Sequence, residues 1–141
     1  MPILDTNVIL EILRPAPDAG LLCWFAGQDD GTIFLTDITE AELRRGIALM
    51  PAGRRRDTVK QAVASILRED FRDRILPFDS AAAAAYAAIA AGRQAIGRPI
   101  SHADAHIAAI AAAWGMPLAT RNVRDFDLCG VEIIDPWRIP G

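Results

Sequence analysis

The chain has 141 residues, enough for one hydrophobic core and too few for two, so we expect a single domain spanning 1–141. Hydrophobic residues make up 52% of the chain, which excludes intrinsic disorder, and no apolar stretch is long enough to span a membrane. The net charge of −3 excludes a general polyanion binder, although Lys60 is the only lysine among fifteen basic residues and the arginines suit phosphate recognition. The N-terminus carries no basic leader or signal-type apolar core, so we expect a cytoplasmic protein.

Short apolar runs alternate with helical patterns along the chain. The predicted elements in chain order are strand 3–4, helices 6–13 and 21–26, strand 32–35, helices 36–50 and 57–70, strand 75–78, helices 81–96 and 101–114, and strands 117–119 and 132–134. Asp79 and Ser80 can cap the alanine-rich fifth helix, and Gly97 ends it. This alternation predicts an α/β fold with a mainly parallel central sheet.

Acidic residues follow the predicted strands. Asp5 comes directly after the first strand, Glu42 lies in the helix after the second, and Asp104 lies in the first turn of its own helix. Asn122 and Asp125 follow the strand at 117–119. Catalytic and ligand-binding residues of parallel sheets lie outside the carboxyl ends of the strands, so we expect these side chains to converge at one edge of the sheet.

A cluster of carboxylates is unfavourable unless a cation compensates its charge. Oxygen ligands suit hard cations, and Mg²⁺ or Mn²⁺ commonly bridges carboxylates to substrate phosphates. Such an ion can activate a water molecule and stabilise a leaving oxygen. The pattern therefore favours metal-dependent cleavage of a phosphodiester.

Each of these acids also has a purely structural interpretation. Glu42 follows Thr39 by three residues, and Asp104 follows Ser101 by three, which is the spacing of a capping box. Asp5 can cap the helix that begins at residue 6. The functional interpretation therefore rests on their joint placement.

Arginines lie near two of the acidic positions. The densest basic region begins at Arg44 and Arg45, on the helix that carries Glu42, and continues to Lys60. Arg121 and Arg124 flank Asn122. A basic flank beside a metal site suits RNA, so we interpret Arg45, Arg121 and Arg124 as candidate substrate-binding residues.

Several motifs resemble those of PIN domains, especially the VapC and FitB toxins, and they occur in the family's order over almost the whole chain. The motifs are Ile-Leu-Asp-Thr-Asn at 3–7, Thr-Glu-Ala-Glu-Leu at 39–43 with Gly46, Ser-His-Ala-Asp-Ala-His-Ile-Ala-Ala at 101–109, Leu-Ala-Thr-Arg-Asn-Val-Arg-Asp-Phe at 118–126, and Ile-Asp-Pro-Trp at 134–137.

The resemblance implies a three-layer α/β/α sandwich with a five-stranded parallel sheet, acting as a metal-dependent endoribonuclease with Mg²⁺ or Mn²⁺. It implies that the metal ligands are Asp5, Glu42 and Asp104 and that the supporting residues are Thr6, Asn7 and Thr120. It further implies a toxin that cleaves RNA, is held inactive by a small cognate antitoxin, and forms a homodimer or a larger toxin–antitoxin assembly.

One position departs from the family pattern. Where some relatives carry an aspartate after Thr-Arg, this chain has Asn122. Asp125 can supply the fourth acidic role, or Asn122 can act as a neutral metal ligand. The loss of one negative charge should weaken a second metal site more than the first.

Two other functions are compatible with parts of the pattern. A haloacid-dehalogenase-like phosphatase also places an aspartate after its first strand, but it needs a second aspartate two residues on, where this chain has Asn7. A non-catalytic RNA- or protein-binding module could keep the fold, although retention of Asp5, Glu42 and Asp104 together argues against it.

Overall fold

The computed structural model describes residues 1–138, so the last three residues of the predicted domain, 139–141, lie outside the described residues. Five short strands and six α-helices alternate along this part of the chain. The strands are β1 (Ile3–Leu4), β2 (Leu35–Thr36), β3 (Ile75–Leu76), β4 (Leu118–Ala119) and β5 (Ile133–Ile134). The helices are α1 (Thr6–Ile12), α2 (Ala19–Ala26), α3 (Asp37–Ala48), α4 (Arg54–Ser65), α5 (Ser80–Ala95) and α6 (His102–Trp114). Within residues 1–138, no helix is long and apolar enough to cross a membrane.

The strands form a parallel sheet in the order β3–β2–β1–β4–β5. β1 pairs with β4, β4 with β5, and β2 with β3. The two groups join where Ile3 bridges to Phe34, and there the Leu4 amide donates to the Phe34 carbonyl at 2.8 Å. The predicted five-stranded parallel sheet is therefore confirmed, with β1 at its centre.

Each face of the sheet has its own hydrophobic core, because successive strand residues point to opposite faces. On one face Ile3 packs with α5 and α6, where Ile107 is fully buried. On the other face Leu4 packs with α1 to α4, where Val8 and Leu43 are buried. This is the three-layer α/β/α arrangement that the sequence predicted.

Helix α4 differs from its predicted bounds of 57–70. It begins at Arg54, and Asp57 lies in its first turn, where a carboxylate interacts favourably with the helix dipole. The chain then continues as a π-helix, Ile66–Asp70, in which the Phe71 amide donates to the carbonyl of the fifth residue before it at 3.0 Å. Phe71 is buried in the core beyond this wider turn.

Arg93 of α5 is buried beneath the loop that follows β4. Its Nε donates to the Arg98 carbonyl at 2.7 Å, and its Nη1 donates to the carbonyls of Asp125 and Asp127 at 3.0 and 2.8 Å. These bonds hold a 3₁₀-helix, Val123–Phe126, which the sequence pattern does not predict because four residues are too short to show a period. Arg93 thereby fixes the loop on which Asp125 lies.

We predict that Arg93→Met lowers the free energy of unfolding by about 2–4 kcal/mol, because three main-chain carbonyls lose the charged donor that the buried Arg93 supplies. Urea denaturation followed by circular dichroism measures this loss. Arg98→Met is the matched control: its half-exposed guanidinium makes one ion pair with Asp127, at 3.4 Å, so we expect a loss below about 1 kcal/mol. Equal losses in the two variants would contradict the role given to Arg93.

Candidate active site

Asp5 lies at the end of the central strand β1 and is buried, with 4% of its surface exposed. Its Oδ1 accepts a hydrogen bond from the Thr6 amide at 2.8 Å, so it caps α1 as the structural interpretation expected. Its Oδ2 accepts from the Thr120 hydroxyl at 2.8 Å and from Asn7 Nδ2 at 3.2 Å. Capping therefore occupies only one of the two carboxylate oxygens, and the other faces the loop that follows β4.

Asn7 and Thr120 extend this network along the loop. Asn7 Nδ2 also donates to Thr120 Oγ1 at 3.1 Å, and Asn7 Oδ1 accepts from the Arg121 amide at 3.3 Å. Thr120 Oγ1 accepts from the Asn122 amide at 3.0 Å. The main chain of 120–122 is thus held against Asp5, while the Asn122 side chain is exposed.

Glu42 reaches the same edge of the sheet from α3. Its Oε1 accepts from the Thr6 hydroxyl at 2.7 Å, and that hydroxyl lies 3.1 Å from Thr39 Oγ1. A capping box between Thr39 and Glu42 is wrong, because α3 begins earlier and its cap is Thr36, whose hydroxyl accepts from the Thr39 amide at 3.1 Å. Sequence reasoning treated Thr39 only as a cap and missed it as a neighbour of the site.

Asp104 and Asp125 complete the acidic edge. Asp104 lies in the first turn of α6, where its amide donates to the Ser101 hydroxyl at 3.2 Å. Burial raises the pKa of Asp104 above its ordinary value, and the Asp125 and Glu42 carboxylates act in the same direction. The Ser101 hydrogen bond and the Arg93 charge oppose this rise.

Asp5 feels the same acidic neighbours. Burial raises its pKa from 3.8 to about 6, against the hydrogen bonds from Thr120 and Thr6, and the Asp104 and Glu42 carboxylates add to the rise. Asp5, Asp104 and Glu42 therefore share one electrostatic environment, as their places in the sequence predicted. As the side chains stand, however, no three His, Cys, Asp or Glu residues within 1–138 form a group that could hold a metal ion.

The candidate arginines occupy two different surfaces. Arg121 and Arg124 line an open groove of about 620 Å³ together with Asn122 and Asp125. Arg45 is exposed on α3, three residues after Glu42, and lines no part of that groove.

The sequence profile of the PIN domain matches residues 3–129. The chain belongs to the PIN-domain family. It is 44% identical over 137 residues to the plasmid stability protein StbB of Pseudomonas syringae pv. tomato, covering 97% of this chain and 99% of that protein. It is 42% identical over 137 residues to the VapC ribonuclease Y4jK of Sinorhizobium fredii, covering 97% and 98%.

A solved structure shares the fold over almost the whole of this chain. The crystal structure of FitAcB from Neisseria gonorrhoeae matches with a TM-score of 0.92 and 37% identity, covering 99% of this chain and 100% of that chain. The toxin FitB of the same organism is 37% identical over 137 residues, covering 97% of this chain and 99% of that protein. The resemblance to VapC and FitB proteins is confirmed.

The raised pKa of Asp5 predicts how the stability of this PIN domain depends on pH. The folded state holds the proton more tightly than the unfolded state, so this stabilisation is complete below about pH 3.8 and is lost as pH rises through about 6. We expect the wild-type protein in EDTA to lose about 2–3 kcal/mol relative to Asp5→Asn between pH 4 and 7. Paired urea titrations across this range measure the difference, and a difference independent of pH would contradict the assignment.

Proposed function

We propose that this protein is a metal-dependent endoribonuclease that hydrolyses RNA phosphodiester bonds. The observation that carries the proposal is that Thr6, at the end of the central strand, hydrogen-bonds both Asp5 and Glu42. The Asp104 and Glu42 carboxylates also add to the rise that burial causes in the pKa of Asp5. A divalent cation would remove this repulsion. The similarity to a protein named as a VapC ribonuclease supports an RNA substrate.

The donor set suits a hard cation, because every candidate ligand offers carboxylate or amide oxygen. Asp5, Glu42 and Asp104 would hold Mg²⁺ or Mn²⁺, and the exposed Glu42 side chain can rotate toward the other two. Bound there, the ion would polarise the scissile phosphate and lower the pKa of an attacking water.

The surrounding residues keep the acids ready for this role. Thr120 and Asn7 each donate to Oδ2 of Asp5 and orient it, while the Thr6 hydroxyl donates to Glu42 and keeps it near Asp5. The hydrogen bonds from Thr120 and Thr6 favour the ionised form of Asp5, so they oppose the effect of burial on its pKa.

Asp125 is the better candidate for the fourth acid. The support is that its carboxylate adds to the rise that burial causes in the pKa of Asp104. We propose that it accepts a proton from the attacking water. Asn122 contributes through its main-chain bond to Thr120, and its exposed amide oxygen is a neutral ligand candidate.

The phosphatase alternative is opposed by the environment of Asn7. Its amide nitrogen donates to both Asp5 and Thr120, and an amide cannot act there as the general acid that such a phosphatase requires.

We further propose that the protein is the toxin of a VapBC-type pair, inhibited in the cytoplasm by a small cognate antitoxin and active as a homodimer. The support is the similarity to the toxin FitB, which extends over 97% of this chain.

We predict that the protein cleaves single-stranded RNA with Mg²⁺ or Mn²⁺ and that EDTA abolishes cleavage. Glu42→Gln and Asp104→Asn should each reduce the rate at least about 100-fold, because each removes a carboxylate from the site. Glu40→Gln is the matched control on the same helix, since Glu40 pairs with Arg44 at 2.8 Å and touches none of the acids. Cleavage that survives both EDTA and Asp104→Asn would overturn the metal-nuclease proposal.

The toxin proposal predicts that expression of the wild-type chain arrests bacterial growth. Asp104→Asn should restore growth, and so should co-expression of the small protein encoded beside it. Colony counts after induction measure both effects. Growth that is unaffected by an actively cleaving wild-type protein would argue for a housekeeping nuclease.

A further inference from the structure

A groove of about 620 Å³ is lined by the loop after β4 and the segment after β5. Three arginines line it: Arg121, Arg124 and Arg138. Its remaining lining residues are Asn122, Val123, Asp125 and Asp135. Two lining residues connect the groove to the proposed site of cleavage. The Arg121 amide donates to Asn7 and the Asn122 amide donates to Thr120, and both of these partners hydrogen-bond Asp5.

Arg121 is held in place at both ends. Its amide donates to Asn7 Oδ1, which ties its main chain to the network around Asp5. Its guanidinium lies over the ring of Trp137, 5.4 Å from the ring centroid, a cation–π arrangement. The guanidinium is therefore fixed over Trp137, in the groove that Asp125 also lines.

Trp137 and Arg138 are organised by Asp135. The Trp137 amide donates to Asp135 Oδ1 at 3.0 Å, and Arg138 Nε lies 3.6 Å from Asp135 Oδ2. Trp137 also packs against the core that contains Leu4. The far wall of the groove is thus anchored to the body of the domain.

We propose that this groove binds the phosphates of a single-stranded RNA next to the bond that is cut. Planar guanidinium groups match phosphate oxygens bidentately, and three of them along one open groove suit a strand better than an isolated phosphate. Trp137 is a positioning residue that fixes the Arg121 guanidinium. The proposal rests on the nuclease function; it adds Arg138 to the residues that bind the substrate and Trp137 as the residue that positions Arg121.

The test measures RNA binding without cleavage. A fluorescein-labelled, mixed-sequence single-stranded RNA of about 12 nucleotides is titrated with the Asp104→Asn protein in EDTA at several salt concentrations. Adding Arg121→Ala, Arg124→Ala or Arg138→Ala should weaken binding about fivefold and reduce the slope of log affinity against log salt by about 0.7 per arginine.

Arg68→Ala is the matched control, since it removes the same charge from an exposed position on the π-helix outside the groove. It should change affinity less than about twofold. Trp137→Leu should weaken binding as Arg121→Ala does, and the double variant should be no weaker than Arg121→Ala alone. If Trp137→Leu does not fold, the three arginine variants still decide the question.

The proposal that the groove binds RNA is wrong if the arginine variants bind RNA as tightly as the Arg68→Ala control and show an unchanged salt slope. If the wild-type protein nevertheless cleaves RNA, that result refutes only the RNA-binding role of the groove and leaves the nuclease function standing. A protein that binds RNA through the groove but cleaves none with Mg²⁺ or Mn²⁺ refutes the nuclease function alone.

Discussion

The hydrogen bond between the buried Asp5 carboxylate and the Thr120 hydroxyl joins residues that are 115 positions apart in the chain. The arrangement of the candidate site depends on this contact. It forms because β1 and β4 are parallel neighbours with Leu4 opposite Ala119, so the next residue of each strand leaves the sheet at the same edge. A parallel pair needs this register, since a slip of one residue would exchange the faces on which the side chains lie. The central sheet thus sets the position of the first acid.

Burial of that acid carries an electrostatic cost that the surroundings reduce only in part. Hydrogen bonds from Thr120 and Thr6 favour the carboxylate, but burial outweighs them and leaves its pKa at about 6. Asp104 is in a similar position: burial and the neighbouring Asp125 and Glu42 carboxylates raise its pKa, while the charge of the buried Arg93 lowers it. Functional sites often retain such unfavourable charge, and the divalent cation that we propose would reduce it here.

Most of the fold followed from local pattern. The short apolar runs that end at polar residues correspond to the five strands. Helix α6 ends at Gly115, where the positive φ of 65° suits glycine. The 3₁₀-helix Val123–Phe126 and the π-turn before Phe71 could not be predicted, because long-range contacts stabilise them. Arg93 shows this clearly: it looks like a solvent-exposed helix residue in the sequence, yet the tertiary structure buries it beneath a distant loop.

The sequence by itself determined which acids the protein has, that they follow strands and helix starts, and which family they resemble. It left the structural and functional interpretations of Glu42 open, because the Thr39 spacing fits a helix cap. Only the tertiary structure excluded the Thr39 cap, because the true cap is Thr36 and the Glu42 carboxylate lies against Thr6 of another helix. The contact between the Arg121 guanidinium and the Trp137 ring is likewise visible only in the tertiary structure. Such contacts join residues distant in the chain, and no local pattern encodes which strands become neighbours.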